Sequence, residues 1–219
     1  MTESHGAGAA EDNRTAILLA AEEMFARSGI AAVSVREIQQ AAGQRNKSAI
    51  QYHFGSKDGL LDEIHRHRMA RINRAREALL DQLEREDRAE DLRALVDACT
   101  WPLVQEITDH RGGWFVQLVA QRLAGPYAFR IDSSHATIDR ITEGIRRCTG
   151  HVPTPLAAQR IHAAMLMMFQ TLADREREVR EVGHALPVEV VAANLVDVMV
   201  ALLDAPVGAV TRRALGEAE

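Results

Sequence analysis

Aromatic side chains are scarce in this chain, at 4% of its 219 residues, and cysteine and proline number only two and six. No stretch alternates β-branched with polar residues between hairpin turns, which excludes a sandwich or barrel. The two thiols, Cys99 and Cys148, stand far apart in sequence and supply neither a disulfide framework nor a metal motif; both are expected as buried or half-buried cysteines. A long apolar run is also missing. The most apolar stretch, residues 188–203, is broken by Glu189, Asn194 and Asp197 and will not cross a bilayer. Repeats, low-complexity tracts and a targeting segment are not evident, so a cytoplasmic location is expected. What remains is 47% apolar residues in a background of Ala, Leu, Glu and Arg, the composition of an all-α protein with a real core.

Residues 34–57 carry the densest local signals. Ser34 followed by Glu37 forms a capping box, starting a short helix at about Val35 that carries Ile38 and Ala41/Ala42 inward and stops at Gly43. Asn46 is a good N-cap for a second short helix to about Tyr52, with Ala49 and Ile50 inward and Lys47, Gln51 and Tyr52 outward. Ser56 then caps a third, with Asp58 in its first turn. Helices this short need an apolar wall. Ile17, Leu18, Ala21, Met24 and Phe25 supply it at helical spacing, after Asp12/Asn13 and before Gly29. Two short helices split by a glycine turn make a helix-turn-helix, which places its second helix in the major groove of DNA.

Charge supports this reading. The chain is acidic at −5, yet Arg27, Arg36, Arg45, Lys47 and Lys57 face Glu37 alone in residues 27–57. A phosphate backbone is drawn to that end and repelled by the rest, which orients the protein as well as binding it.

From Arg14 to Leu60 the residues resemble the DNA-binding domain of TetR-family bacterial transcriptional regulators. Three blocks carry the resemblance: I-L-x-A-A-x-x-M-F-x-x-x-G from Ile17, S-V-R-E-I-x-x-A-A-G from Ser34, and A-I-x-Y-H-F-G-S-K-x-x-L from Ala49. The turn Gln44-Arg45-Asn46 is one residue longer than the family's usual pattern, and Gln51 stands where an aromatic is common. The resemblance implies that Ser34 and Arg36 meet phosphate at the start of the second helix, and that His53 and Lys57 grip the backbone at the end of the third. Arg45, Asn46, Lys47, Gln51 and Tyr52 are then the candidates for reading base edges. Phe54 is expected in the core.

The expected division is a mobile tail (1–11), a helix-turn-helix domain (12–57), a helical effector-binding and dimerisation domain (58–205) and a C-terminal tail (206–219). A long helix from about Lys57 to Arg85 bridges the parts with Leu61, Ile64, Ile72, Ala75 and Leu79 as its apolar side, and its Arg66–Arg76 run is expected as a solvated, ion-paired surface. Further helices are expected at about 89–108 (kinked at Pro102), 113–123, 126–148, 155–181 and 187–203.

The last two carry apolar seams: Ile161, Met165, Met168 and Leu172, and Val188, Val191, Leu195, Val198 and Leu202. Either seam can pack into the protein's own core. A homodimer interface is favoured because one head makes too few contacts for selective binding, whereas a two-fold pair reads two half-sites; the resemblance implies the same. Trp101, Trp114, Phe115, Leu118, Ile138, Met165 and Phe169 are candidates to line a small-molecule pocket, with core packing the more ordinary role for each. His162 and Arg122 are expected as an interior histidine and a surface arginine.

The function expected is a transcriptional regulator that binds a palindromic double-stranded DNA operator, a repressor released by an unidentified small-molecule effector. The alternative is a nucleoid or division-associated DNA-binding factor without an effector. An enzyme is not expected: His65-x-His67 and Asp132-Ser133-Ser134-His135 lack the partner spacing that metal or nucleophile chemistry uses, and no cofactor or metal is implied.

Overall fold

The computed structural model describes residues 4–43, 49–110, 113–124 and 136–216, and every regular element among them is a helix. Three belong to the head, α1 (Ser4–Ser28), α2 (Val35–Ala41) and α3 (Ala49–Phe54). The body contains α4 (Lys57–Arg85), α5 (Leu92–His110), α6 (Gly113–Ala124), α7 (Ala136–Cys148), α8 (Thr154–Val182), α9 (Val188–Asp204) and the short α10 (Ala209–Ala214). Helix α1 thus reaches back into the segment expected as a tail, and α10 lies in the expected C-terminal tail. The helix expected from residue 126 is described only from Ala136.

Apolar residues decide the packing. Ile17, Leu18, Ala21 and Phe25 of α1 close over Ile38 of α2, Ile50 of α3 and Leu60, Leu61 and Ile64 of α4, forming the head's core. In the body, α5 lies among α4, α7 and α9, while α6 packs on α8 and on α1 of the head. Helix α7 approaches α5 closely at Gly144, where an added Cβ would meet Leu95 Cδ1 at 2.9 Å.

Two sequence expectations about α4 are corrected. Its arginine run is not uniformly a solvated surface, because Arg68 and Arg76 are buried. They fall in register with Leu61, Ile64, Ile72 and Leu80, so the helix turns them inward. Arg76 donates from Nε and Nη2 to the Cys99 carbonyl at 3.1 and 2.8 Å. That carbonyl lies three residues before Pro102, where the missing proline N–H weakens the helix ladder. The guanidinium supplies donors beside the break. Leu79 is 36% exposed, whereas Leu80 and Leu83 are buried.

The seams of α8 and α9 are corrected as well. Ile161, Met168, Leu172, Val188 and Leu195 are buried in the protein's own core, while Met165, Val191 and Leu202 are half-buried. Val198 alone among those nine is exposed. Buried side chains of one protomer have no surface left for a second copy. Outward apolar residues are Ala163, Leu166 and Met167, half-buried on α8 about half a turn from its seam, and Val190 and Val198, exposed at 51% and 43% on α9. Arg160 of α8 donates to the Leu203 and Ala205 carbonyls at 3.1 and 2.5 Å, satisfying acceptors that the end of α9 leaves open.

Candidate nucleic-acid interface

The start of α2 is fixed by its own side chains. Ser34 Oγ accepts from the Glu37 N–H at 3.3 Å, and Glu37 Oε2 accepts from the Ser34 N–H at 2.8 Å, a complete capping box. The Ser34 hydroxyl donates to Glu37 Oε2 at 2.6 Å, and this bond, followed by the one from the Ser34 N–H, holds the Glu37 carboxyl below its usual range. The cap leaves Arg36 exposed one position into the helix. Ile38 and Gln39 are buried, and the outward Ala41 departs from the expected inward face. Gly43, at φ +66°, ends the element in a conformation that glycine adopts without strain.

Helix α3 presents Gln51 and Tyr52 outward, the latter 83% exposed, while Ile50 is buried and Phe54 packs half-buried on the core. An exposed aromatic on a six-residue helix whose opposite side anchors it is placed for contact rather than packing. His53 is half-buried, its ring 5.1 Å from that of Tyr52. The Gly55 N–H closes α3 on the Gln51 carbonyl at 3.1 Å, and Ser56 Oγ accepts from the Gly59 N–H at 3.0 Å to start α4. Gly59 has no room for a side chain, since a Cβ there would lie 2.2 Å from the Phe54 carbonyl oxygen. Arg45, Asn46 and Lys47 lie outside the described residues.

Lys57 has an internal task. Its ammonium donates to the Val33 carbonyl at 2.6 Å and sits 5.6 Å from the centre of the Phe25 ring. It therefore pins the loop that delivers Ser34 to its cap. An ammonium carries three N–H groups, so a phosphate contact competes for the remaining donors.

The head is joined to the body by groups that sequence reading did not single out. Arg68 of α4 reaches Glu22 of α1 through Nε at 2.8 Å and Nη2 at 2.9 Å, and Glu106 of α5 through Nη1 at 2.8 Å. Arg71 adds Nε and Nη2 bonds to Glu106 at 3.1 and 2.5 Å. Burial pushes the Glu22 carboxyl up despite its bond to Arg68. Burial also acts to raise Glu106, but the bonds from Arg71 and Arg68 outweigh it and hold that carboxyl below 4.5. Gln117 and Gln121 of α6 donate to the Ala26 carbonyl at 3.1 and 2.6 Å. Arg122, expected at the surface, is buried and donates to the Leu61 carbonyl at 3.3 Å and to Asp62 at 3.0 Å.

The residues named for a pocket do not converge. Phe115, Leu118 and Phe169 are buried in the core. Trp114 is half-buried, with Arg180 4.0 Å and Arg27 5.8 Å from its ring centre. Ile138 and Met165 border a space of only about 10 Å³. Trp101 alone of these lines a sizeable groove, of about 520 Å³, between α4 and α5. His162, expected inside, is exposed. No cluster of three metal-ligating side chains occurs among the described residues; His67 lies beside Arg71, and burial followed by that cation pushes its imidazole down. Residues 132–135 are outside the described residues.

Residues 17–64 match the family model described as "Bacterial regulatory proteins, tetR family". The matched segment runs from Ile17 of α1 through α2 and α3 into the first turns of α4. No curated protein matches the chain significantly.

Proposed function

We propose, from the premise that the chain belongs by its N-terminal domain to the tetR family of bacterial regulatory proteins and is a DNA-binding transcriptional regulator, that it acts as a homodimeric repressor of a two-fold-symmetric operator. The observation that carries this reading is the outward face of α3, where Gln51 and Tyr52 project from a helix anchored by buried Ile50. Arg36 and the capped start of α2 stand ready for the adjacent phosphates, and the exposed Gln51 carries the amide that pairs with an adenine edge. The outer faces of α8 and α9, half-buried at Leu166 and Met167 and exposed at Val190 and Val198, supply the surface for a second copy. An operator then carries two half-sites one or more helical turns apart.

Release by a small-molecule effector completes the proposal, because the head is bonded to body helices α4, α5 and α6 and moves with them. Selection of bound fragments from random duplex DNA tests the whole reading. A recovered palindrome bound by a dimer supports it, whereas equal retention of all sequences, or a strictly monomeric chain, overturns it.

A further inference from the structure

The groove between α4 and α5 has a chemistry of its own. Its floor is small and apolar, with Ala75, Ala78, Leu79, Leu83 and Ala98 along its length. From Ala75 to Glu86 it follows α4 for about 16 Å at 1.5 Å per residue. A volume of about 520 Å³ lies in the range of small-molecule sites. A second hollow of about 140 Å³ shares Ala75 and Gln105 with it and continues to Glu106 and Asp109.

The charged groups along this channel are mostly acidic. Glu86 and Asp97 border the wide part, and Glu106 and Asp109 the narrow end. Both bordering guanidiniums are committed, Arg88 to Asp91 at 2.7 Å and Arg71 to Glu106 at 2.5 Å. Asp97 is half-buried, and among the described residues its carboxylate is engaged only by the Trp101 indole N–H at 3.0 Å. That bond holds an indole and a carboxylate side by side. A soft, weakly hydrated cation satisfies both at once, through the ring's quadrupole and the charge. A strongly hydrated metal ion gains nothing from the apolar floor, and an anion meets no uncommitted base.

We propose that this groove binds an elongated amphipathic cation, an amine or quaternary ammonium on a hydrocarbon body, with its head at Asp97 and Trp101 and its body over the alanine–leucine floor. The assignment rests on the effector-responsive reading above and gives that effector a chemical class.

The test uses the full chain carrying Trp114→Phe, so that emission comes from Trp101, titrated with dodecyltrimethylammonium, dodecyl maltoside and dodecanoate below their micelle-forming concentrations. Saturable change with the cation, at least about tenfold tighter than with the neutral or anionic chain, is expected. Asp97→Asn keeps an oxygen for the indole N–H and should cost the cation about tenfold without altering the neutral chain's binding. Ala78→Phe, on an exposed helix position, should block the cation by filling the groove. Equal affinities for the three chains, no saturable signal, or no effect of Asp97→Asn overturns the assignment. DNA affinity of the same protein is measured separately. Cation binding that leaves DNA bound keeps the groove assignment and removes the effector from the function, whereas failure of the groove with DNA binding intact leaves the regulator reading standing.

Discussion

Arg68→Met removes the cation that joins head to body while keeping much of its volume. Glu22 then loses both of its bonds to Arg68, whereas Glu106 keeps two from Arg71. The damage therefore falls on Glu22, whose side chain is only 4% exposed. Removing one partner of a buried pair costs about 3–5 kcal/mol, because the other charge stays desolvated. At roughly 2–4 °C per kcal/mol for a chain of this size, thermal unfolding should shift down by about 6–20 °C. The pH dependence has a definite sign. The folded-state pKa of Glu22 already lies above 4.5, and without Arg68 it rises further. Between those two values the folded protein binds the proton that the unfolded chain has lost, so the variant loses stability as pH rises through this window. Glu22→Gln in the same chain removes the stranded charge and should recover most of the loss. Urea unfolding at about pH 5 and pH 7.5 for the single and double variants measures all of this. A single variant that loses less than about 1 kcal/mol, or a double variant no more stable than Arg68→Met alone, refutes the pairing as the source of the stability.

Arg36 and Gln51 are both exposed but are assigned different tasks on DNA. Arg36→Ala should weaken binding to every duplex alike and lower the salt slope by about one, whereas Gln51→Ala should change the preferred operator at constant slope; anisotropy at several salt concentrations separates the two. Val198 and Leu195 divide surface from core within a single helix. Val198→Glu should give a folded monomer in sedimentation, since that side chain is 43% exposed in the protomer, while Leu195→Ala should lower stability by about 2–5 kcal/mol. A Val198→Glu chain that remains dimeric removes the outer face of α9 from the interface.

Local signals made the head legible. Ser34 with Glu37, Gly43, and Ser56 before Lys57 each act within a few residues, and α2 and the start of α4 follow from them; the expected span of α4, 57–85, matches the helix observed, while α3, expected from an Asn46 cap to about Tyr52, is described as Ala49–Phe54. Periodicity carried less information in α8 and α9. It identifies an apolar face but not whose core that face enters, and α9 is apolar on its outer side as well, at Val190 and Val198. Chemical type misled at Arg68 and Arg76, where register with Ile64 and Ile72 was the better guide. Even so, the partner that stabilises Arg68 in the head, Glu22, lies 46 residues away in sequence and meets it only in the fold. The same holds for the groove, because nothing along the chain separates Trp101, which borders it while packing on the core, from the other six residues expected at a pocket.

Magnitudes also say where the head can move. Under the proposed effector release, coupling to DNA needs only about 1–3 kcal/mol, less than the cost of stranding Glu22, so the shift is expected to keep the Arg68 bonds and to pivot about them. The α6 joint is softer. Gln117 and Gln121, both half-buried, donate two neutral bonds to the carbonyl of buried Ala26, near the end of α1, each worth about 1 kcal/mol net. Under the proposed effector release, sliding α6 along α1 is expected to exchange those bonds for water at a cost within the coupling range. Gln117→Ala with Gln121→Ala should accordingly lower stability by about 1–2 kcal/mol and speed amide exchange at residues 26–30, while amides around Glu22 stay protected. If both regions lose protection together, α1 leaves the body as one piece and the pivot is not at Arg68.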